Sequence, residues 1–458
     1  MILHYSLRYL VARGIPALVN FFAVAVYTRL LTPEAYGYYV LVIAGVNVLN
    51  LAGFQWLRFA LVRYLPAAQK EAELLGTIGW SYLALMLVVG GGGGAMAGLI
   101  VEARWRPLIL VAVLLLWAQT WFELNADLLR TRLQTQAYGW AMGVRSVGAL
   151  GLGTLLILKG LEAYGPLLGL LLSMAGVGLV FACRYWRTVR MRVNWKQLQV
   201  LLRYGLPLAG TLILGFIISA SDRFLIAWLL DEAQAGIYAA GYDLANQPVI
   251  LLMSIVNLAA YPLIVQAWEQ REKGIAAYLR RNIRLLLMVG VPAAVGLGLL
   301  ADPITRWMLG AAFRPAREII PWIALATLLD GVRVYHTDLA FHLAQRPTRQ
   351  LQLMAWGALI NLGLNVLWIP RLGIIGAAWA TVAAYGVTLA LSIGWGRRMA
   401  ALPTGGRELL RIGGAAFGMG AGCWLLAPLI GWVGAGGLGL AIYGALLWLL
   451  YARDDTEG

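Results

Sequence analysis

The 458 residues are 61% hydrophobic and only 12% charged, with a mean hydropathy of +0.75, which excludes an ordinary soluble domain of this length. The net charge of +15, from 36 Lys and Arg against 21 Asp and Glu, invites a nucleic-acid reading. No soluble segment is long enough to build a folded basic face, so direct nucleic-acid binding is excluded.

About fourteen stretches of roughly 20 apolar residues are long enough to cross a bilayer. In chain order they cover 8–30, 36–57, 74–100, 107–129, 138–158, 163–184, 204–230, 233–261, 283–301, 318–344, 349–369, 373–395, 408–428 and 431–451. The last two are the weakest, and without them the count is twelve. The chain therefore reads as an all-α, polytopic membrane protein. Its N-terminal apolar run continues through Leu31 without a small-residue cleavage site, so it reads as the first span rather than a removed signal. With the N-terminus in the cytoplasm, most Lys and Arg fall beside cytoplasmic loops, as the positive-inside rule requires, and both termini are cytoplasmic. The densest cluster, Arg184, Arg187, Arg190, Arg192, Lys196 and Arg203, joins spans six and seven, where it serves topology and attracts anionic membrane lipids.

An internal repeat organises the spans. Leu30, Leu31, Gly37, Tyr39 and Asn47 recur as Leu229, Leu230, Gly236, Tyr238 and Asn246, while Asp127, Leu128 and Gly165 recur as Asp338, Leu339 and Gly376. Gly14 and Pro16 answer Gly205 and Pro207. Spans one to six thus match spans seven to twelve, and an even period gives both halves the same orientation. Two six-helix lobes in a parallel pseudo-two-fold repeat are expected, with substrate held between them and two extra C-terminal helices outside the repeat. The expected divisions are an N-lobe at 1–184, a basic cytoplasmic linker at 185–203, a C-lobe at 204–396, and helices thirteen and fourteen with the tail at 397–458.

Polar residues inside these spans are the candidate functional groups, because a charge at mid-membrane costs about 2.5–3.5 kcal/mol even on insertion scales. Span four carries Glu123 and Asp127 at i, i+4, with Arg130 and Arg145 as candidate neutralising cations; the pair suits a proton or Na⁺ site, or end-of-bundle salt bridges. Asp222 and Arg223 on span seven are consecutive and diverge, so each needs a partner elsewhere. Span eight holds Asp243, Asn246, Gln247 and Pro248, answered by Asn47 and Asn50 on span two. On span ten Asp330 and Arg333 share a face and can pair, near His336, Asp338 and His342. Cys183 and Cys423 read as small core residues, and no metal-ligand spacing occurs. The glycine run Gly90–Gly94 lacks the Lys and Ser or Thr of a phosphate loop, and Gly414, Gly418 and Gly422 form a packing ridge against the bundle or a second copy. Outer connections such as 32–35, 159–162 and 231–233 leave no room for an external catalytic domain, which favours a carrier over an enzyme.

Several motifs carry a resemblance. Val11-Ala12-Arg13-Gly14, Thr28-Arg29-Leu30-Leu31, Tyr36-Gly37 and Leu61-Val62-Arg63-Tyr64 resemble the first two spans of the bacterial polysaccharide-transport family. Ser221-Asp222-Arg223, Gly236-Ile237-Tyr238 and the run Leu372 to Ala378 resemble its seventh, eighth and twelfth helices. The resemblance covers nearly the full chain. It implies a flippase of the superfamily that also holds lipid II flippases and multidrug and toxin extrusion transporters. Such a protein moves undecaprenyl-pyrophosphate-linked oligosaccharide from the cytoplasmic to the periplasmic leaflet of the bacterial inner membrane by alternating access, for O-antigen or exopolysaccharide assembly. Its partners would be the lipid-linked substrate, membrane lipids, a polysaccharide polymerase and glycosyltransferases. On this reading Arg223, Arg333, Arg145, Arg13 and Arg63 hold the anionic headgroup, since the guanidinium fork matches phosphate. Asp222, Asp243, Asn246, Asp330, Glu123, Asp127 and Asn47 are the coupling or cavity polar groups. No cofactor is expected, and the acids suit H⁺ or Na⁺ coupling. Two alternatives stay open: a multidrug or organic-cation exporter, whose arginines would all be paired, and a non-transporting membrane scaffold, which would tolerate every intramembrane charge change.

Overall fold

The structure is a computed structural model that describes residues 2–99, 102, 105–270, 274–399, 402–403 and 405–452; the side chains of 2–13, 15, 17, 211, 347, 433 and 452 lie outside that description. Among the described residues the secondary structure is helical, without strands. In chain order the helices are α1 (Ile2–Leu30), α2 (Pro33–Leu49), α3 (Gln55–Tyr64), α4 (Glu71–Leu99), α5 (Trp105–Thr131), α6 (Thr135–Leu156), α7 (Tyr164–Phe181) and α8 (Trp195–Leu229). They continue with α9 (Glu232–Glu269), α10 (Ile275–Leu299), α11 (Ala301–Met308), α12 (Ile320–Val332), α13 (Leu339–Leu343), α14 (Pro347–Leu372), α15 (Ile374–Gly396) and α16 (Gly406–Ala452).

Among the described residues twelve helical stretches are long and apolar enough to cross a membrane, including the two arms of α16, which is broken at Gly431 where φ is +73°. The expected first span corresponds to α1, where the described residues hold an apolar stretch at Leu18–Leu30. The expected tenth span is interrupted, α12 passing through a π-helical turn at Arg333–Thr337 into the short α13. Tight caps explain the short connections: Thr32 accepts from the Ala35 N–H at 3.2 Å and Asp231 from the Gln234 N–H at 2.7 Å. The link from α10 to α12 is longer, and holds α11 and a 3-10 helix at Ala311–Glu318.

The chain forms two compact units, residues 1–224 and 225–458. The sequence places the division in the basic linker, whereas the structure places it inside α8. The cause is packing. The first half of α8 belongs to unit 1, where Gly205 lies against the Trp56 backbone, Tyr204 stacks edge-on with Tyr64, and Leu198 and Leu201 join the core. The linker itself docks on the start of α4. Asn194 Nδ2 donates to Glu73 at 2.7 Å and the Asn194 N–H to Thr77 Oγ1 at 3.2 Å, while Gly76 leaves space only for the Arg190 carbonyl.

Each unit repeats the same helix partnerships. In unit 1, α5 packs on α2, α4 and α7, and α6 packs on α7; in unit 2, α12 packs on α9, α10 and α15, and α14 packs on α15. Those are the pairs that the sequence repeat matches, span for span. Side-chain bonds follow the pattern too: Gln119 of α5 donates to Asn47 of α2 at 2.9 Å, and Asn246 of α9 donates to Thr327 of α12 at 3.0 Å.

Apolar burial cannot drive helix association in lipid, so close backbone approach does. A Cβ on Gly169 would lie 2.4 Å from the Gly153 nitrogen and 2.8 Å from the Ala149 carbonyl oxygen, and one on Gly376 would lie 2.6 Å from the Trp368 carbonyl oxygen. Gly418 and Gly422 face Leu446 and Ile442, so the ridge of span thirteen packs on the second arm of the same helix. Cys423 is buried as expected, but Cys183 is exposed, because the π-helical turn at Ala182–Trp186 turns it off the core. Gly169→Ala should destabilise the protein by about 1–3 kcal/mol, since the atoms in its way are backbone. Gly91→Ala, with nothing within 4 Å, should leave the melting temperature unchanged or higher in the same thermal-unfolding assay.

Candidate functional site

The polar centre of unit 1 begins with a helix defect. Between α2 and α3 the backbone forms a π-helical turn at Asn50–Phe54. One inserted residue rotates the helix beyond it by about 100°, which turns Arg58 towards α5. Arg58 then closes on both acids of that helix: its Nε donates to Asp127 Oδ2 at 2.7 Å and its Nη1 to Glu123 Oε2. Nη1 also reaches Gln55 Oε1 at 2.9 Å. Glu123 is held further by Asn50 Nδ2 at 2.8 Å and Gln119 Nε2 at 3.2 Å, while Arg130 pairs with Asp127 at 3.2 Å. From Gln119 to Arg130 the column of polar groups runs roughly 16 Å along α5.

Beside this column lies a cavity of about 710 Å³. Gln55, Arg58, Arg63, Asp127, Arg130 and Tyr204 line it, with Phe59 and Val62 as apolar wall. Three arginines thus meet one carboxylate. Arg63 is exposed and makes no ion pair among the described residues. Arg145, on α6, packs its guanidinium over the Phe122 ring at 5.6 Å. Its buried Nε has no hydrogen-bond partner among the described residues, and no ion pair reaches it.

Unit 2 treats its arginine differently. Arg333 leaves the last turn of α12 at the π-helical segment, and both sides of its fork are occupied: Nη2 meets Asp330 at 2.6 Å and Nη1 meets Asp338 at 2.7 Å. Asp338 also accepts from Ser392 Oγ at 2.7 Å, and Ser392 bonds Thr337 at 2.8 Å. His336 is buried beside them. Its Nε2 faces the Pro403 carbonyl at 2.8 Å and must donate there, which leaves Nδ1 to accept from Asn282 at 3.3 Å. The void next to this cluster, by Thr337 and Ser392, is only about 10 Å³. Arg333 is 5% exposed and Asp338 1%. Both sides of the guanidinium of Arg333, the residue expected to hold a headgroup, are thus occupied by carboxylates, and little of its surface is open.

The other expected residues are distributed as follows. Asp222 is buried, Arg223 and Asp243 are half-buried, and each of the three engages a partner. Asn47 and Asn246 form the matched bonds to α5 and α12 already described. Arg13 lies outside the described side chains. Of the cations proposed to neutralise Glu123 and Asp127, Arg130 does so at Asp127, but Arg145 forms no ion pair and Arg58 takes its place. The sequence reading missed Arg58 because the expected second span ended at residue 57, which made it a flanking charge. The helical stretch actually runs Pro33–Ala67 and carries Arg58 inside.

The family described as "Polysaccharide biosynthesis protein" matches residues 26–318, more than half of the chain. The succinoglycan biosynthesis transport protein ExoT of Rhizobium meliloti is 25% identical over 315 residues, 67% of this chain and 62% of that protein. The probable low-salt glycan biosynthesis flippase Agl15 of Haloferax volcanii is 23% identical over 54% of this chain and 52% of its own length. The chain thus spans between half and two thirds of the length of these relatives. Among solved structures, the lipid II flippase MurJ in an inward closed conformation superposes with a TM-score of 0.78 over 99% of both chains at 14% identity. An inward-facing multidrug resistance MATE family transporter of the MOP superfamily gives 0.66, at 16% identity, over 86% of this chain and 98% of that one. These likenesses establish the fold.

The two arginine environments predict opposite responses to neutralisation. Arg333→Gln strands two carboxylates and should cost about 3–5 kcal/mol of stability, partly restored by adding Asp338→Asn. Arg145→Gln removes a guanidinium that has no ion-pair partner, and should unfold at or above the wild-type temperature.

Proposed function

The chain belongs to the polysaccharide biosynthesis protein family, and from that premise we propose that it is a flippase for lipid-linked oligosaccharide. On this reading it exposes its cargo site alternately to the two sides of the bacterial inner membrane. It carries undecaprenyl-pyrophosphate-linked repeat units from the cytoplasmic to the periplasmic leaflet for O-antigen or exopolysaccharide assembly. Glycosyltransferases supply the cargo and a polymerase consumes it. Relatives named as a transport protein and a flippase support a carrier rather than an enzyme.

One observation carries the choice of cargo. Unit 1 holds a cavity lined by more arginine than carboxylate, and neither Arg63 at its wall nor Arg145 of α6, outside its lining, forms an ion pair among the described residues. A diphosphate headgroup supplies the missing charge. It offers several acceptor oxygens to planar, forked donors, a geometry that lysine does not reproduce. An exporter of organic cations would gain nothing from unpaired guanidinium groups, which repel its cargo. The headgroup role thus rests on Arg63, Arg58, Arg130 and Arg145 in unit 1. Arg223 and Arg13 remain further candidates.

The test is transport in proteoliposomes of a fluorescent polyprenyl-diphosphate oligosaccharide, read by exposure of its glycan to an impermeant reagent. Arg63→Gln and Arg145→Gln should each slow translocation about tenfold or more, while Arg63→Lys retains an intermediate rate. Wild-type rates in both Gln variants, or uptake of a permanently cationic dye in place of the lipid, would rule the reading out.

A further inference from the structure

The two carboxylates that close on Arg58 are fastened in different ways. Glu123 has other donors: Asn50 holds Oε2 at 2.8 Å and Gln119 reaches Oε1 at 3.2 Å, and Gln119 is itself tied to Asn47 at 2.9 Å. Were Arg58 to turn away, Glu123 would keep two amide partners. Asp127 has none. Its side-chain oxygens meet Arg58 Nε at 2.7 Å and Arg130 Nη2 at 3.2 Å, and both of those arginines line the cavity. Asp127 lines the cavity as well, whereas Glu123 does not. The carboxylate of Asp127 therefore occupies the place on Arg58 that an anion arriving through the cavity would have to take.

We propose that Asp127 is a built-in counter-ion, which fills the phosphate subsite on Arg58 while the cavity is empty and gives Arg58 up to the headgroup phosphate of the cargo. This role rests on the headgroup reading of the same cavity. Its physical reason is the empty carrier. Arg58 is 22% exposed along its side chain, inside a membrane-spanning helix, where an unpaired guanidinium is costly. Asp127 shares the neutralisation of Arg58 with Glu123, and holds the Nε side of the fork until a phosphate arrives with more charge and more acceptor oxygens. Asp127 is not then stranded, because Arg130 sits three residues on along α5 and already holds its other oxygen. Glu123 stays on its amides and keeps α2 and α5 in register. Competition by Asp127 also weakens the grip of the site on its cargo. A carrier needs that weakness, since a cavity of uncompensated arginines would bind a diphosphate and keep it.

The test measures binding of inorganic pyrophosphate to the purified full-length chain in lipid nanodiscs by calorimetry at fixed ionic strength. Asp127→Asn removes the competing charge and should tighten pyrophosphate about tenfold, and Asp127→Ser should do the same if the Asn variant proves unstable. Asp127→Glu should stay near wild type. In an Arg58→Gln background binding should weaken, and the effect of Asp127→Asn should vanish, because its competitor's partner has gone. A structural role alone would not tighten binding, nor make the gain depend on Arg58. Unchanged or weaker binding in both Asp127→Asn and Asp127→Ser, or an equal gain with Arg58 absent, overturns the counter-ion role and leaves the headgroup reading standing. Absence of pyrophosphate binding in wild type and in both variants overturns the headgroup reading itself.

Discussion

A guanidinium inside a membrane span has to meet a carboxylate, a cargo anion or water, and the polar architecture of both units follows from that requirement. Each unit satisfies it with an aspartate at the position the repeat matches, Asp127 in one and Asp338 in the other, both almost fully buried. The arginines come from different places. Arg58 reaches Asp127 from 69 residues upstream and so joins two helices, whereas Arg333 lies five residues before Asp338 and folds back on its own broken helix. The first arrangement leaves a wall of the cluster facing a cavity; the second closes on itself. The repeat has kept the acid and moved the base.

Around these clusters the scaffold is held by contacts that do not depend on the hydrophobic effect, which has little leverage between lipid-exposed helices. Glycine lets backbones meet, as at Gly169 and Gly376. Polar side chains bridge helices where an apolar residue would add nothing, as in the bond from Trp186 Nε1 to Asn125 at 2.7 Å. Within unit 2 the two arms of α16 are fastened to α10 in the same manner: Arg284 of α10 pairs with Glu408 at 3.0 Å and stacks over Tyr451 at 4.6 Å, while Tyr451 also bonds Glu408. One carboxylate thus ties three helical segments together.

Composition and spacing were enough to read the class, the helices and the repeat, because hydrophobic length and matched polar positions are properties of the sequence itself. Asn47 and Asn246, matched in the sequence, each bond the fourth helix of their own half, α5 and α12. What the sequence could not show were places where the backbone departs from regular geometry. Nothing in Asn50-Leu51-Ala52-Gly53-Phe54 distinguishes a π-helical turn from an α-helix, yet that one extra residue decides where Arg58 points. The same holds at Arg333–Thr337. The division of the units inside α8 was equally hidden, since it depends on Gly205 finding Trp56 across the core. Arg58 was overlooked for a simpler reason: a hydropathy window stops at a charge, and a helix with a partner for that charge does not.

The contrast between the units indicates a division of labour within a duplicated scaffold. A cavity of about 710 Å³ beside Arg58 and a void of about 10 Å³ beside Thr337 and Ser392 differ far more than the helix partnerships around them. In unit 2 the arginine, both acids, Ser392 and Thr337 satisfy one another, with His336 held separately by Pro403 and Asn282, so the cluster gives its helices rigidity and has little left with which to attract a ligand. In unit 1 the same chemical inventory is left incomplete on one side, with Arg63 and Arg145 in excess of the acids. Incompleteness of that kind is unfavourable for folding alone where the guanidinium is buried, as at Arg145. On the headgroup reading, an anion entering the cavity completes the set at Arg63 during part of the working cycle.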